Sequence, residues 1–157
     1  MSTARVFQPY FPIASMIAVA LVSSAIAQVP DRNQALSVAE SQYQIVVIQI
    51  KQKRFDKAME EANKIFQMKW PPDEEPRLLK SLQLLSSEFL HSGKPDFSVR
   101  LLDSNIGAFK DPKSKAAIMK DKGYLLEKMG EPERAIECFR EAMRLESGSS
   151  KSVKKHN

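Results

Sequence analysis

From Asn33 to Glu146 apolar side chains recur three and four positions apart, the spacing that gathers them on one face of an α-helix. The clearest stretch is 132–146, where Ala135, Ile136, Phe139, Ala142 and Met143 share a face. Proline and glycine interrupt the pattern at Pro71-Pro72, Pro76, Gly93-Lys94-Pro95, Asp111-Pro112, Gly130-Glu131-Pro132 and Gly148. The chain reads as six segments of helix length, roughly 33–51, 54–69, 76–91, 95–109, 113–129 and 132–146, the first two divided at Lys53. Pro132 suits a first helical position, where its missing N–H costs nothing, and Glu131 and Glu133 complement the positive end of the helix dipole. Ile45-Val46-Val47-Ile48 passes locally for a strand, but the length and flanks of its segment favour helix. The pattern predicts an all-α fold of antiparallel helix pairs.

The N-terminal thirty residues follow a different rule. Arg5 precedes an apolar run, Ile13 to Val22, and small residues follow at Ala25 and Ala27. These are the three parts of a secretory signal. The run is shorter than the ~20 residues that cross a bilayer. An uncleaved signal-anchor is weakened by Pro9, Pro12, Ser23 and Ser24, a mitochondrial presequence would need more arginine, and no cysteine follows to carry a lipid. Residues 1–27 are therefore expected to be a cleavable signal, with the mature chain starting at Gln28 and exported to the periplasm or beyond the cell. The membrane enters only if the signal stays attached. At the other end, residues 147–157 lack periodicity and are expected to form a disordered basic tail.

Charge and chemistry narrow the function. The 157 residues carry 24 Lys and Arg against 19 Asp and Glu, a net charge of +5. The bases alternate with acids, as in Lys51–Lys57 and Glu131–Arg134, which reads as a solvated helix surface rather than a nucleic-acid face. The single cysteine, Cys138, excludes an intrachain disulfide and a zinc site built on cysteines, and it reads as a buried, inert thiol. The histidines are only His91 and His156. Glu60 and Glu61 are neighbours that point apart on a helix, and Asp73-Glu74-Glu75 sits where acids favour a helix start. Trp70, ahead of Pro71-Pro72, reads as a loop anchor. No phosphate loop, nucleophile elbow, metal-ligand spacing or nucleotide fingerprint occurs. No enzymatic activity, cofactor or metal is expected.

Residues 116–148 resemble a tetratricopeptide repeat, a helix–turn–helix unit of ~34 residues. Met119 takes its large first position, Gly123 the small close-contact position, Leu126 the following apolar slot and Gly130 the turn. Ala135, Phe139 and Ala142 fall on the small–large–small series of the second helix. Lys122 departs from an apolar position and Ser147 from a closing proline. The same template set on Gly93 gives Leu82, Leu85, Ser86, Phe89, Ser98 and Leu102, with Asn105 at the last small position. Set on Lys53 it gives Phe55, Ala58 and Ile65, with Gln42 and Gln49 falling on core slots. The resemblance covers most of 33–148. It implies about three repeats stacked as a short right-handed solenoid over 28–146.

It also implies a partner-binding groove lined by the first helix of each pair. Carried over position by position, the lining is Tyr43, Val47, Ile50 and Lys51, then Lys80, Gln83, Ser87, Leu90 and His91, then Lys120, Tyr124 and Lys128. Read from the residues alone, Val47, Ile50 and Leu90 are equally core residues and the lysines equally solvent-facing. As a groove, the set would suit an extended protein or peptide segment with acidic side chains or a free carboxylate, drawn by a strip formed by Lys51, Lys80, Lys120 and Lys128. The asparagines that clamp a carboxylate in some members of the family are missing. The alternative is a structural subunit of an envelope assembly or a module that packs on itself. The sequence leaves the oligomeric state open.

Overall fold

A computed structural model describes residues 32–153; the expected signal over 1–27 and the cut before Gln28 lie outside the described residues. Six helices follow one another: α1 (Arg32–Lys51), α2 (Phe55–Gln67), α3 (Glu75–His91), α4 (Pro95–Asn105), α5 (Pro112–Lys128) and α6 (Pro132–Val153). Two 3₁₀ turns, Pro72–Glu74 and Ile106–Ala108, stand in the longer connections. The described residues contain no strand, and Ile45–Ile48 lies inside α1. Consecutive helices pair as α1/α2, α3/α4 and α5/α6, and α3 touches α1 on one side and α5 on the other.

The three hairpins share one turn. Lys53, Gly93 and Gly130 have φ of 59°, 72° and 79°. At each, the residue's N–H bonds the carbonyl three back (Ile50, Leu90, Glu127), and the next N–H bonds the carbonyl five back (Gln49, Phe89, Leu126). This left-handed closure is glycine's natural conformation. Lys53 adopts it without glycine, at a cost of about 1–2 kcal/mol for a side chain with a Cβ. Lys53→Gly is therefore expected to stabilise the chain by about 0.5–1 kcal/mol after glycine's own entropic penalty, measured by urea denaturation.

The core runs through all three pairs, from Val46 and Ile50 through Leu82, Leu85 and Leu102 to Ile118 and Leu126. Each hairpin solves close approach differently. In the last, a Cβ on Gly123 would lie 2.8 Å from the Phe139 ring, so glycine lets α5 and α6 meet there. In the middle pair buried Ser98 donates its hydroxyl to the Ser86 carbonyl at 2.6 Å. Buried Asn105 ties α4 to α2, donating to Asn63 Oδ1 at 2.8 Å. Gln42, on a core slot, reaches both the carbonyl and the carboxylate of Glu61. Lys122 lays its stem against the fold and its ammonium on Asp103 at 2.5 Å, which reconciles a charged residue with an apolar position.

Several expectations need correction. α4 ends at Asn105 rather than 109, giving way to the 3₁₀ turn, and Phe109 is buried from outside any helix. The tail expected to be disordered from Ser147 is helical through Val153. No proline stops it, Gly148 keeps a helical φ, and Glu141–Arg144 and Ser147–Arg144 contacts support that turn. In α6 the buried side is Ala135, Cys138 and Ala142, while Ile136 and Met143 are about half exposed. Burial pushes the Cys138 thiol up, consistent with an inert sulfur. The acid cluster is structural. Buried Glu74 meets Arg32 and Arg77, and Glu75 accepts from the backbone N–H groups of Lys110 and Asp111.

Candidate partner-binding groove

The first helices α1, α3 and α5 lie side by side, with a cavity on each side of α3. Between α1 and α3 is a cavity of about 400 Å³, walled by Leu36, Ala39, Tyr43, Trp70, Leu78 and Leu84. Trp70 is fixed there by its indole N–H, which donates to the Ile65 carbonyl at 2.7 Å. Charged residues stand at its rim, Glu40 on α1 and Arg77 on α3. Between α3 and α5 is a smaller and more polar cavity of about 210 Å³, walled by Gln83, Ser87, Leu90, Asp121, Tyr124 and Lys128.

Five of the expected lining residues thus meet in the second cavity: Gln83, Ser87, Leu90, Tyr124 and Lys128. Tyr43 lines the first, and Val47 is half-buried one turn further along α1. Lys51, Lys80 and His91 are exposed, with His91 Nδ1 3.3 Å from the Ser87 hydroxyl. Two residues do not belong to the lining. Ile50 is buried in the core. Lys120 turns toward α6 and pairs with Glu146 at 2.6 Å.

Among the residues on this face that the sequence reading missed, three bear on its chemistry. Leu84 is 47% exposed and borders the apolar cavity. Glu88 lies near enough to Tyr43 that burial first, and then this charge, push the phenol above its ordinary value. Asp121 accepts from Gln83 Nε2 at 2.7 Å. Its helical spacing to Tyr124 and Lys128, three and seven residues on, was a legible signal. With Glu40, Glu88 and Asp121 among the lysines, the face is mixed in sign, and the expected continuous positive strip does not form.

Burial pushes the Asp121 carboxyl above the usual range, partly offset by the bond from Gln83. The folded chain therefore disfavours this charge relative to the unfolded chain. The cost is present once pH has risen through the folded value and is absent below the ordinary carboxylate value, where both states are protonated. Asp121→Asn keeps an oxygen for Gln83. It is expected to raise Tm near pH 7 and to leave it unchanged near pH 3, about a unit below the ordinary aspartate value.

Among the described residues no three His, Cys, Asp or Glu side chains gather as a metal site, and no helix is long and apolar enough to cross a membrane. Stacked antiparallel pairs joined by one recurring turn define a helical repeat protein. The sequence model of the tetratricopeptide repeat matches residues 121–148, covering the second half of α5 and most of α6. No curated protein matches the chain. Repeats of this kind are protein–protein interaction modules.

Proposed function

We propose that the chain is an exported interaction module that holds an extended segment of a partner protein across α1, α3 and α5. The observation that carries this reading is the pair of cavities on either side of α3, between the first helices. The larger, mostly apolar one suits a bulky apolar side chain, with Leu84 at its edge. The smaller one offers Gln83, Ser87, Asp121 and Lys128 to a polar side chain or an extended backbone. Because both signs of charge occur on the face, the preferred segment is apolar with mixed polar flanks rather than strongly acidic.

A photo-crosslinking side chain at Leu84 tests the groove, with the same group at Arg140 on the outer side of α6 as control. Crosslinking to a partner peptide from Leu84 and not from Arg140 supports the reading. The reverse result moves the partner to the outer helices and favours a packing subunit of a larger assembly. Export is supported by the order Arg5, Ile13–Val22, Ala25, Ala27. Mass spectrometry of the native protein is expected to find Gln28 as its first residue; retention of 1–27 would replace export by anchoring.

A further inference from the structure

Helix α1 is apolar on two sides, and the fold uses only one of them. Its inner side packs Ala35, Ala39, Tyr43, Val46 and Ile50 into the chain. Gln42 marks the side facing α2, and Leu36, Glu40 and Gln44 mark the side facing α3. At 100° per residue a further strip remains, pointing away from both. Its residues are Gln34, Val38, Ser41, Ile45, Ile48 and Gln52, the last just beyond the helix end. Val38, Ile45 and Ile48 are 50%, 42% and 52% exposed.

We infer that this strip is a homodimer interface, on which α1 of a second copy of the chain lies antiparallel. Three features of the strip carry the inference. First, its spacings run four, three, four, three, four, the a/d rhythm of a helix–helix seam, so the occupant is a helix rather than an extended segment. Second, the strip holds no charged residue: the charges of α1 are Arg32, Glu40 and Lys51, and none is on it. A two-fold interface buries whatever the strip carries against the same strip, so a lone charge there would be buried without an opposite partner, and an uncharged strip avoids that. Third, the strip matches its own reverse. With the two-fold axis at residue 43, Gln34 stands against Gln52 of the second copy, Val38 against Ile48 and Ser41 against Ile45. Apolar residues then meet apolar or small ones, and amide meets amide at both ends.

The strip is roughly 30 Å long and 10 Å wide. Two such strips, with their flanks, bury on the order of 800–1,000 Å² in total, below the ~1,200 Å² where standard stable complexes begin. The dimer is therefore reversible and concentration-dependent. It leaves the α1–α3–α5 face open, so it is independent of the groove.

The test is sedimentation equilibrium of the protein with the N-terminus it carries in its native source, from roughly 10 µM to 1 mM, a range suited to weak complexes. The mass is expected to rise from monomer toward dimer. In Ile45→Glu/Ile48→Glu the association should weaken at least tenfold, with an unchanged melting curve because both sites are exposed. Orientation is read by oxidative crosslinking. Val38→Cys mixed with Ile48→Cys should give a covalent dimer. Val38→Cys alone should not, because its own copies stand ten residues, roughly 15 Å, apart, beyond disulfide reach. Three results would each overturn the inference. One is a monomer at every concentration. Another is a dimer that Ile45→Glu/Ile48→Glu leaves intact and Ile136→Glu/Met143→Glu on α6 abolishes. The third is efficient crosslinking of Val38→Cys to itself.

Discussion

Phe89→Ala is expected to cost about 3–5 kcal/mol, a large part of the 5–15 kcal/mol that holds a typical domain together. Phe89 is fully buried near the end of α3. Its ring stacks on Phe97 of α4 at 5.6 Å and stands 6.5 Å from Phe55 of α2, which itself lies 5.6 Å from Phe97. Three rings from two repeats therefore share one contact, and truncation opens a cavity at their junction. In a stack where each pair leans only on its neighbours, such a loss uncouples the pairs. Denaturation followed at Trp70, on the connection between the first and second pairs, should then precede loss of total helix signal. In the wild type the two signals should coincide. A single coincident transition at nearly wild-type denaturant would mean that the three rings do not bind the repeats together.

The second large effect is expected at Ala135→Leu, about 1–3 kcal/mol of destabilisation by overpacking. Ala135 is buried at the start of α6, on the side that also buries Cys138 and Ala142 against α5. A leucine has no space there unless α6 withdraws, and withdrawal also breaks the close approach of Gly123 and Phe139. Glu137→Leu, on the exposed side of the same turn, should change stability by no more than about 0.5 kcal/mol. Urea denaturation of the two variants makes the comparison. Equal losses at both sites would show that α6 does not present Ala135 to α5.

Pairing was legible because proline and glycine punctuate the chain at both boundaries between pairs, and the break inside the first pair, at Lys53, was legible from the repeat template instead. The close-contact roles of Gly123 and Ala135 followed from the repeat template, which sets small residues at those positions. What sequence periodicity could not supply was the direction of individual side chains on helices with more than one apolar side. Ile136 and Met143 lie next to Ala135 and Ala142 in the apolar pattern, yet α6 turns them outward, because the smaller residues permit the closer packing with α5. Lys120 fits the groove by spacing, but Glu146 lies 26 residues on and comes within reach only when α6 folds back. Ile50 reads equally as core or lining until α2 and α3 cover it. The Ile45–Ile48 run looked strand-like for a physical reason: α1 is apolar on two sides, which blurs the helical period.

The connections between pairs also carry a consequence for binding thermodynamics. Both are pinned rather than slack. The indole of Trp70 holds the first, and the carboxylate of Glu75 grips two successive backbone N–H groups of the second. The second cannot act as a hinge without breaking its bonds, and the first is also tied to α1 by Arg32 on Asp73 and Glu74, so the curvature across α1, α3 and α5 is set before any partner arrives. A ligand lying on this face spends little free energy on shaping the receptor, and the ordering cost falls on the ligand alone. Association should accordingly be tuned by how stiff the incoming segment already is. A proline or a cyclised backbone in the ligand would tighten binding, while further bracing of the solenoid would change it little.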